Sequence, residues 1–418
     1  SLFQLLFVCL NFLLAPTPTH APYQSLANVF LLAAFNEILA IIPYPYDINK
    51  FYRSTAIAGG WAGLGFASKQ NIGGYTLLAI FFIMTSGYLF YQNKKVPLKL
   101  RDFMWPVLSF ILVTIITIIP IWLTGGWAKF IEYGFVNKKT YIQLAGIPLT
   151  DGIIRFFKDV KDFIFHIRID KALQLMQGSI FLLPLMVGIG CVVGVLKTTH
   201  FKRQSLLINA LFMGVGFVGI FPRADYSHLI YAVPTLLIGT IWIIREIWES
   251  WQKPRKQKKV ISYSVLTIGI FCVLLKLCIP VLLLIQERLV ISSLPHFRGP
   301  FISRQFQIQT LREMENLKAI GQHYTIFLLT PHAGFYYVLT DINNLTPFDF
   351  PLATSFGLNG EGEVIKAIKE RSIEAVCWKA WQWRLSPTKI EAFIKQDLTP
   401  VSDLKACTLY KLKFSTAY

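Results

Sequence analysis

Charge is scarce in this sequence: Asp, Glu, Lys and Arg make up 15% of its 418 residues, where soluble domains carry about a quarter. Acidic residues are the scarcest, 23 against 41 Lys and Arg. Such an excess of positive charge raises nucleic acid as a partner, but no basic run has a nucleic-acid motif beside it, and that class is set aside. Soluble-enzyme signatures are missing as well: there is no Walker A loop, no GxGxxG opening a helix, no GxSxG and no HExxH. The six cysteines, Cys9, Cys191, Cys272, Cys278, Cys377 and Cys407, have no metal-binding spacing. Four lie in apolar runs, where Cys acts as a small hydrophobe. Cys377 and Cys407 lie in strand-like runs and are read as two buried thiols in preference to a disulfide. No Met begins the chain. It opens inside a hydrophobic run, "SLFQLLFVCLNFLLAP", without the basic n-region of a signal peptide, which reads as N-terminal truncation.

What the sequence has in abundance is apolar runs long enough for a bilayer, which takes roughly 20 helical residues. They are Met104–Leu123, Ser179–Leu196, Ser205–Phe221, Tyr226–Ile244 and Val260–Ile285, with Leu26–Ile42, Asn71–Tyr91, the shorter Thr55–Ser68 and the opening Leu2–Leu14. This predicts a multi-pass α-helical membrane protein with about eight or nine transmembrane helices. Basic residues gather in the loops Asn93–Arg101, Lys197–Arg203 and Trp251–Lys259, which read as cytoplasmic under the positive-inside rule. The alternation then puts three segments outside: Thr124 to about Gly178, the "PRADYSH" loop, and everything after about Gln286.

Two domains follow, a transmembrane domain over residues 1–290 and a soluble extracytoplasmic α/β domain over residues 291–418. Within the first, the segment near 125–177 holds apolar residues at Ile153, Ile154, Phe157, Val160, Phe163 and Ile164. That is helical spacing. It predicts an amphipathic helix lying on the outer membrane surface or packed on the external domain. In the second domain, "RQFQIQTLREMENLKAIG", "GEGEVIKAIKERS" and "SPTKIEAFIKQ" read as helices. "HYTIFLL", "IEAVCWK" and "ACTLYKLK" read as strands.

Charge inside hydrocarbon costs about 2.5–3.5 kcal/mol per residue, so the few charges near the spans are informative. In "FPRADYSHLI", Arg223, Asp225 and His228 crowd the turn between two apolar runs. One reading is a loop whose charges pair among themselves. The other is a headgroup-level anion site, with Arg223 and His228 meeting a phosphate and Asp225 orienting them. A divalent metal held by Asp225 and His228 is a further reading. Lys69, in "AGLGFASKQNIGG", either snorkels or adds positive charge to such a site. Asn36 and Glu37 predict a buried interhelical hydrogen bond, and Asp47 and Arg53 an internal loop. The stretch "TPHAGFYYVLTDINNLTPFDF", with His332, Tyr336, Tyr337, Asp341 and Asp349, suits either a binding face or a turn-rich loop.

Three segments, Gly60–Leu78, Phe221–Gly239 and Leu328–Lys379, resemble the GT-C superfamily of membrane glycosyltransferases. The likeness is to the bacterial branch related to the dolichyl-phosphate-mannose–protein mannosyltransferases. Its most specific element is the Arg-x-Asp-x-x-His loop leading into a Pro-containing helix. The resemblance implies a polyprenyl-phosphate-linked sugar donor, a lipid, glycan or protein acceptor, and transfer at the extracytoplasmic face of a bacterial inner membrane. It implies a lipid-phosphate site made by Arg223, His228, Asp225 and Lys69, with Tyr226, His332 and Tyr336 towards donor or acceptor. The acidic base of that superfamily lies in its first external loop. No Asp or Glu precedes Glu37, so that base is expected upstream of Ser1, no catalytic residue is assigned, and this chain alone is expected to be inactive. A transporter or flippase of lipid-linked sugars, and a polysaccharide polymerase or ligase, are the alternatives.

Overall fold

The computed structural model describes residues 22–41, 48–90, 99–166, 171, 174–175, 178–197, 200–250, 289–349, 351–380, 386–404 and 406–413. The expected spans Leu2–Leu14 and Val260–Ile285 lie outside the described residues, as do Cys9, Cys272, Cys278, Asp47 and the basic loop Trp251–Lys259. The chain divides into two units, Ser1–Trp127 with Gly146–Lys276, and Ala128–Ala145 with Leu277–Tyr418. The division differs from the expected one near residue 290: part of the segment expected beside the membrane helices, Ala128–Ala145, belongs to the second unit.

The first unit is helical: α1 (Pro22–Leu39), α2 (Ile48–Ser68), α3 (Gln70–Phe90), α4 (Met104–Leu123), α5 (Leu149–Phe165), α6 (Leu183–Lys197), α7 (His200–Val218) and α8 (Val233–Ser250). Proline sets several of these starts. Pro22 heads α1, while Pro184 and Pro234 take the second positions of α6 and α8. In a first helical turn the missing proline N–H leaves no bond unmade, so a helix restarts there readily. The runs expected as Ser179–Leu196 and Tyr226–Ile244 are consequently divided: the first opens with the 3-10 turn Ser179–Leu182, the second with a one-turn helix, Tyr226–Leu229, followed by the 3-10 turn Ile230–Ala232.

Two expectations are corrected. Arg53 lies within α2 and not in a loop. The first turns of α2 are held against the start of α4, where the Tyr52 hydroxyl donates to Asp102 Oδ1 at 2.8 Å. Asn36 is exposed and Glu37 half-buried, not bonded between helices. Both sit in the last turn of α1, where a side chain passes the helix end without crossing the bundle.

Among the described residues one helix, Arg101–Leu123 with its 3-10 lead-in, is long and apolar enough to cross a membrane. Gln24–Leu39, Gln70–Thr85, Ser179–Gly194 and Leu206–Val218 are shorter apolar stretches. The outward faces are apolar over several helices, with Val29 on α1, Leu78 and Phe82 on α3, Leu112 and Ile116 on α4, and Met186 and Val192 on α6 all exposed. Inward, Leu31, Ile38, Ala58, Ala62, Ile72, Ile80 and Phe212 form one core. A second core gathers Phe181, Leu206, Met213, Ala224, Leu229 and Leu236, with Leu149 and Ile153 of α5 against it. Gly59 lets α2 approach α4 closely: a Cβ there would stand 2.2 Å from the carbonyl oxygen of Pro106.

The second unit holds a four-stranded sheet of order β3–β4–β6–β5, made of β3 (Ile326–Leu329), β4 (Ala375–Trp378), β5 (Leu398–Asp403) and β6 (Thr408–Leu412). β3 and β4 are parallel and the other pairs antiparallel. Strand alternation sends Phe327, Leu329 and Val376 to one face, under α11 (Gly360–Lys369) and α12 (Thr388–Asp397). It sends Ile326, Leu328, Ala375 and Cys377 to the other, under α9 (Arg304–Gly321) and α10 (Ala333–Thr340). A separate hairpin, β1 (Leu289–Ile291) with β2 (Phe301–Ser303), precedes them. Cys377 and Cys407 are disulfide-bonded, with Cα atoms 5.4 Å apart, which corrects the reading as buried thiols. Cys377 lies in a strand and Cys407 just before its hydrogen-bonded neighbour, a separation that a disulfide spans.

Candidate functional site

Asp225 is the hub of the Arg-x-Asp-x-x-His turn. It accepts from Arg223 Nε at 2.5 Å, pairs with His228 Nδ1 at 2.7 Å and accepts from the His228 backbone N–H at 3.0 Å. The last bond caps the one-turn helix Tyr226–Leu229, which Tyr226 opens. Burial alone would raise the Asp225 carboxyl, but His228 and Arg223 outweigh it and hold it at about 2. The three polar side chains stay partly exposed, while Ala224 and Leu229 between and beside them are fully buried. Apolar anchoring of the intervening residues thus presents the charges on one side of the turn.

Backbone bonds pin the same turn to the start of α5. Ile147 N donates to the Pro222 carbonyl at 3.1 Å and Ala224 N to the Ile147 carbonyl at 2.9 Å. The amphipathic α5 buries Gly152 against the Phe181 ring of its own unit. Ile154, Phe157, Ile164 and Phe165 remain exposed.

Lys69 sits at the corner between α2 and α3, largely buried, with Nζ donating to Gln24 Oε1 at 2.9 Å. Burial lowers its amine to about 8. Gln24 and Asn28 are buried on one face of α1, one turn apart. Asn28 donates to the Tyr231 carbonyl, and Asn71 donates to the Gly219 carbonyl at 3.1 Å. These bonds bring the start of α1, the α2–α3 corner, the end of α7 and the approach to α8 to one end of the unit. Gln24 Nε2 and Asn28 Oδ1 find no partner there. This leaves one buried donor and one buried acceptor, the pair a hydroxyl would satisfy. Gln24 and Asn28 escaped the sequence reading; their only signal is amide side chains four apart at the head of an apolar helix.

The described residues of two basic segments lie at the opposite end. Lys99 and Arg101 precede α4, whose start adjoins the start of α2. The Lys197–Arg203 stretch lies at the end of α6 and the start of α7, away from Gly219. Among the described residues, opposed ends of one bundle therefore carry Lys99, Arg101 and the end of α6 with the start of α7 on one side, and the Arg223–Asp225–His228 cluster on the other.

His332 and Tyr336 lie in the other unit. His332 is exposed at the N-terminus of α10, whereas Tyr336 is buried, its hydroxyl donating to Glu313 Oε2 at 2.6 Å. Tyr337 is buried too, its oxygen accepting from Leu328 N at 2.8 Å. Tyr336 thus fastens α10 to α9 and Tyr337 fastens it to β3, and neither lines a face. The Asn344 amide is engaged within its turn, bonded to Thr346 and Phe348. Among the described residues no three His, Cys, Asp or Glu side chains are grouped to hold a metal ion. The atoms of Asp225 and His228 nearest to each other are already paired.

No protein-family model, no curated protein and no solved structure matches the chain.

Proposed function

We propose that this protein is a multi-pass membrane glycosyltransferase that takes a sugar from a polyprenyl-phosphate carrier at the extracytoplasmic face. The observation that carries the reading is the Arg223–Asp225–His228 hub, at the end of the bundle that also holds Lys69 and away from Lys99, Arg101 and the start of α7. Asp225 takes Nε, one of the five guanidinium N–H donors of Arg223, and fixes the plane of the others. Its bond to Nδ1 orients the His228 ring. Arg223 and Lys69 then stabilise the negative charge that grows on a departing lipid phosphate. Gln24 and Asn28 supply the buried donor and acceptor that sugar hydroxyls require. Apolar exposed faces on α1, α3, α4 and α6 support a bilayer surround. The disulfide of the second unit supports an oxidising, non-cytosolic compartment for it. The resemblance to the GT-C superfamily points the same way, and its acidic base is not among the residues assigned here.

Binding of sugar-free polyprenyl phosphate to the purified protein tests the anion site without needing that base. Arg223→Ala is expected to weaken binding roughly 10- to 100-fold, the loss of a charge-assisted hydrogen bond, with helix content unchanged. Wild-type affinity in that variant removes Arg223 from the site. Transfer is then assayed with a panel of polyprenyl-phosphate sugars. Movement of those lipids across proteoliposomes with no acceptor present would favour a transporter instead.

A further inference from the structure

The hairpin that opens the C-terminal unit turns its large apolar side chains outward. Ile291 of β1 and Phe301 of β2 are directly opposed in antiparallel register, and each is 64% exposed. Opposed residues project from the same face, so they form one apolar patch. Phe297 in the connecting loop and Phe306 in the first turn of α9 are exposed as well. Their rings lie 5.0 and 6.4 Å from that of Phe335.

The local sequence is equally unusual. From Arg288 to Arg312 there are four arginines and no Asp or Glu. Arg298 and Arg304 stand on either side of Phe301 in sequence, both exposed. The acid that the described contacts bring to this hairpin is Asp341, 3.3 Å from His296.

The course of the chain says what covers this patch. Only Gln286, Glu287 and Arg288 separate the apolar run Val260–Ile285 from Leu289. Even fully extended, that link reaches about 14 Å, so a chain leaving hydrocarbon at Ile285 delivers the hairpin to the headgroup layer or just beyond it. Aromatic and aliphatic side chains interleaved with arginine, with Asp341 the one acid that the described contacts bring near, are what an interface of anionic headgroups over acyl chains selects.

We infer that the β1–β2 hairpin and the first turn of α9 seat the C-terminal unit on an anionic bilayer surface. Ile291 and Phe301 enter the acyl boundary, and Arg298 and Arg304 meet lipid phosphates. The inference uses no part of the sugar-transfer reading; it needs only that residues 260–285 enter the membrane.

The test is photo-crosslinking of the whole chain in nanodiscs of phosphatidylcholine, with and without phosphatidylglycerol. The benzophenone analogue of phenylalanine replaces Phe301, Ile291 or, as a control, the exposed Val401 of β5. Lipid adducts are expected at positions 301 and 291, several-fold more of them with phosphatidylglycerol, and none at 401. The double change Arg298→Gln with Arg304→Gln is expected to erase the phosphatidylglycerol enhancement while leaving adducts in phosphatidylcholine. Equal labelling at 401, absence of lipid adducts at 301, or cross-links from 301 into protein would each overturn it. So would an enhancement that survives the double change.

Discussion

Asp225 faces the Arg223 guanidinium, the His228 ring and a backbone N–H at once, and these hold its carboxyl down at about 2, so it is an anion at neutral pH. Lys69 is the residue whose charge changes under mild conditions. Its bond to the neutral Gln24 does not offset the burial of its ammonium, which holds the amine at about 8. Below that value Lys69 is a cation; above it the amine is neutral and no longer attracts phosphate. Affinity for polyprenyl phosphate is therefore expected to fall as pH rises through about 8, or somewhat higher once a bound phosphate favours the charged form. In Lys69→Arg the decline should vanish, because guanidinium stays protonated. A titration of affinity between neutral pH and about 10 checks this, and an unchanged decline in the arginine variant would remove Lys69 from the site. Of the residues that build this end, the charged ones were legible in the sequence because charge among apolar runs stands out. Gln24 and Asn28 were not, since a buried amide looks like any polar residue at a helix start until its neighbours are known.

At the scale of elements, α2 and α4 pack through small residues, and Gly59 is the tightest point, where an added Cβ would meet the backbone of Pro106 at 2.2 Å. Backbone cannot move aside as a flexible side chain can. Gly59→Ala is thus expected to destabilise the helical unit by about 1–3 kcal/mol, read as a lower melting temperature in detergent, while Gly74→Ala, with open space at its Cβ, leaves it unchanged. Element type was well legible where periodicity was uninterrupted. Arg304–Gly321 and Met104–Leu123 emerge with the bounds expected of them. It failed where a short element hid among turn residues. α10 begins right after Pro331 and His332 and ends at Asp341 in the left-handed conformation, so its eight residues resemble a polar loop. The divided runs were missed for another reason: a run of apolar residues absorbs a single Pro184 or Pro234 without losing its apolar character, whereas the backbone treats each as a helix start.

For the molecule as a whole, the disulfide joins residues 30 positions apart across two neighbouring strands, buried at both ends. Such a bridge is worth about 2–4 kcal/mol, so Cys377→Ser with Cys407→Ser should make the C-terminal unit unfold at lower denaturant while α1–α8 keep their transition. Limited proteolysis across a denaturant series separates the two. The charge placement that suggested cytoplasmic and external ends was readable from sequence alone. The membership of the C-terminal unit was not, because it depends on contacts across more than two hundred positions. The Tyr133 hydroxyl donates to the Ser355 carbonyl 222 positions away at 3.1 Å, Asn137 Nδ2 donates to the Thr354 carbonyl at 3.2 Å, and Leu358 N donates to Glu132 Oε1 at 3.1 Å. During synthesis that early strap emerges and then waits while two hundred further residues leave the ribosome. A fragment starting at the hairpin lacks it altogether, and the turn from Thr354 to Leu358 would meet water in place of its fasteners.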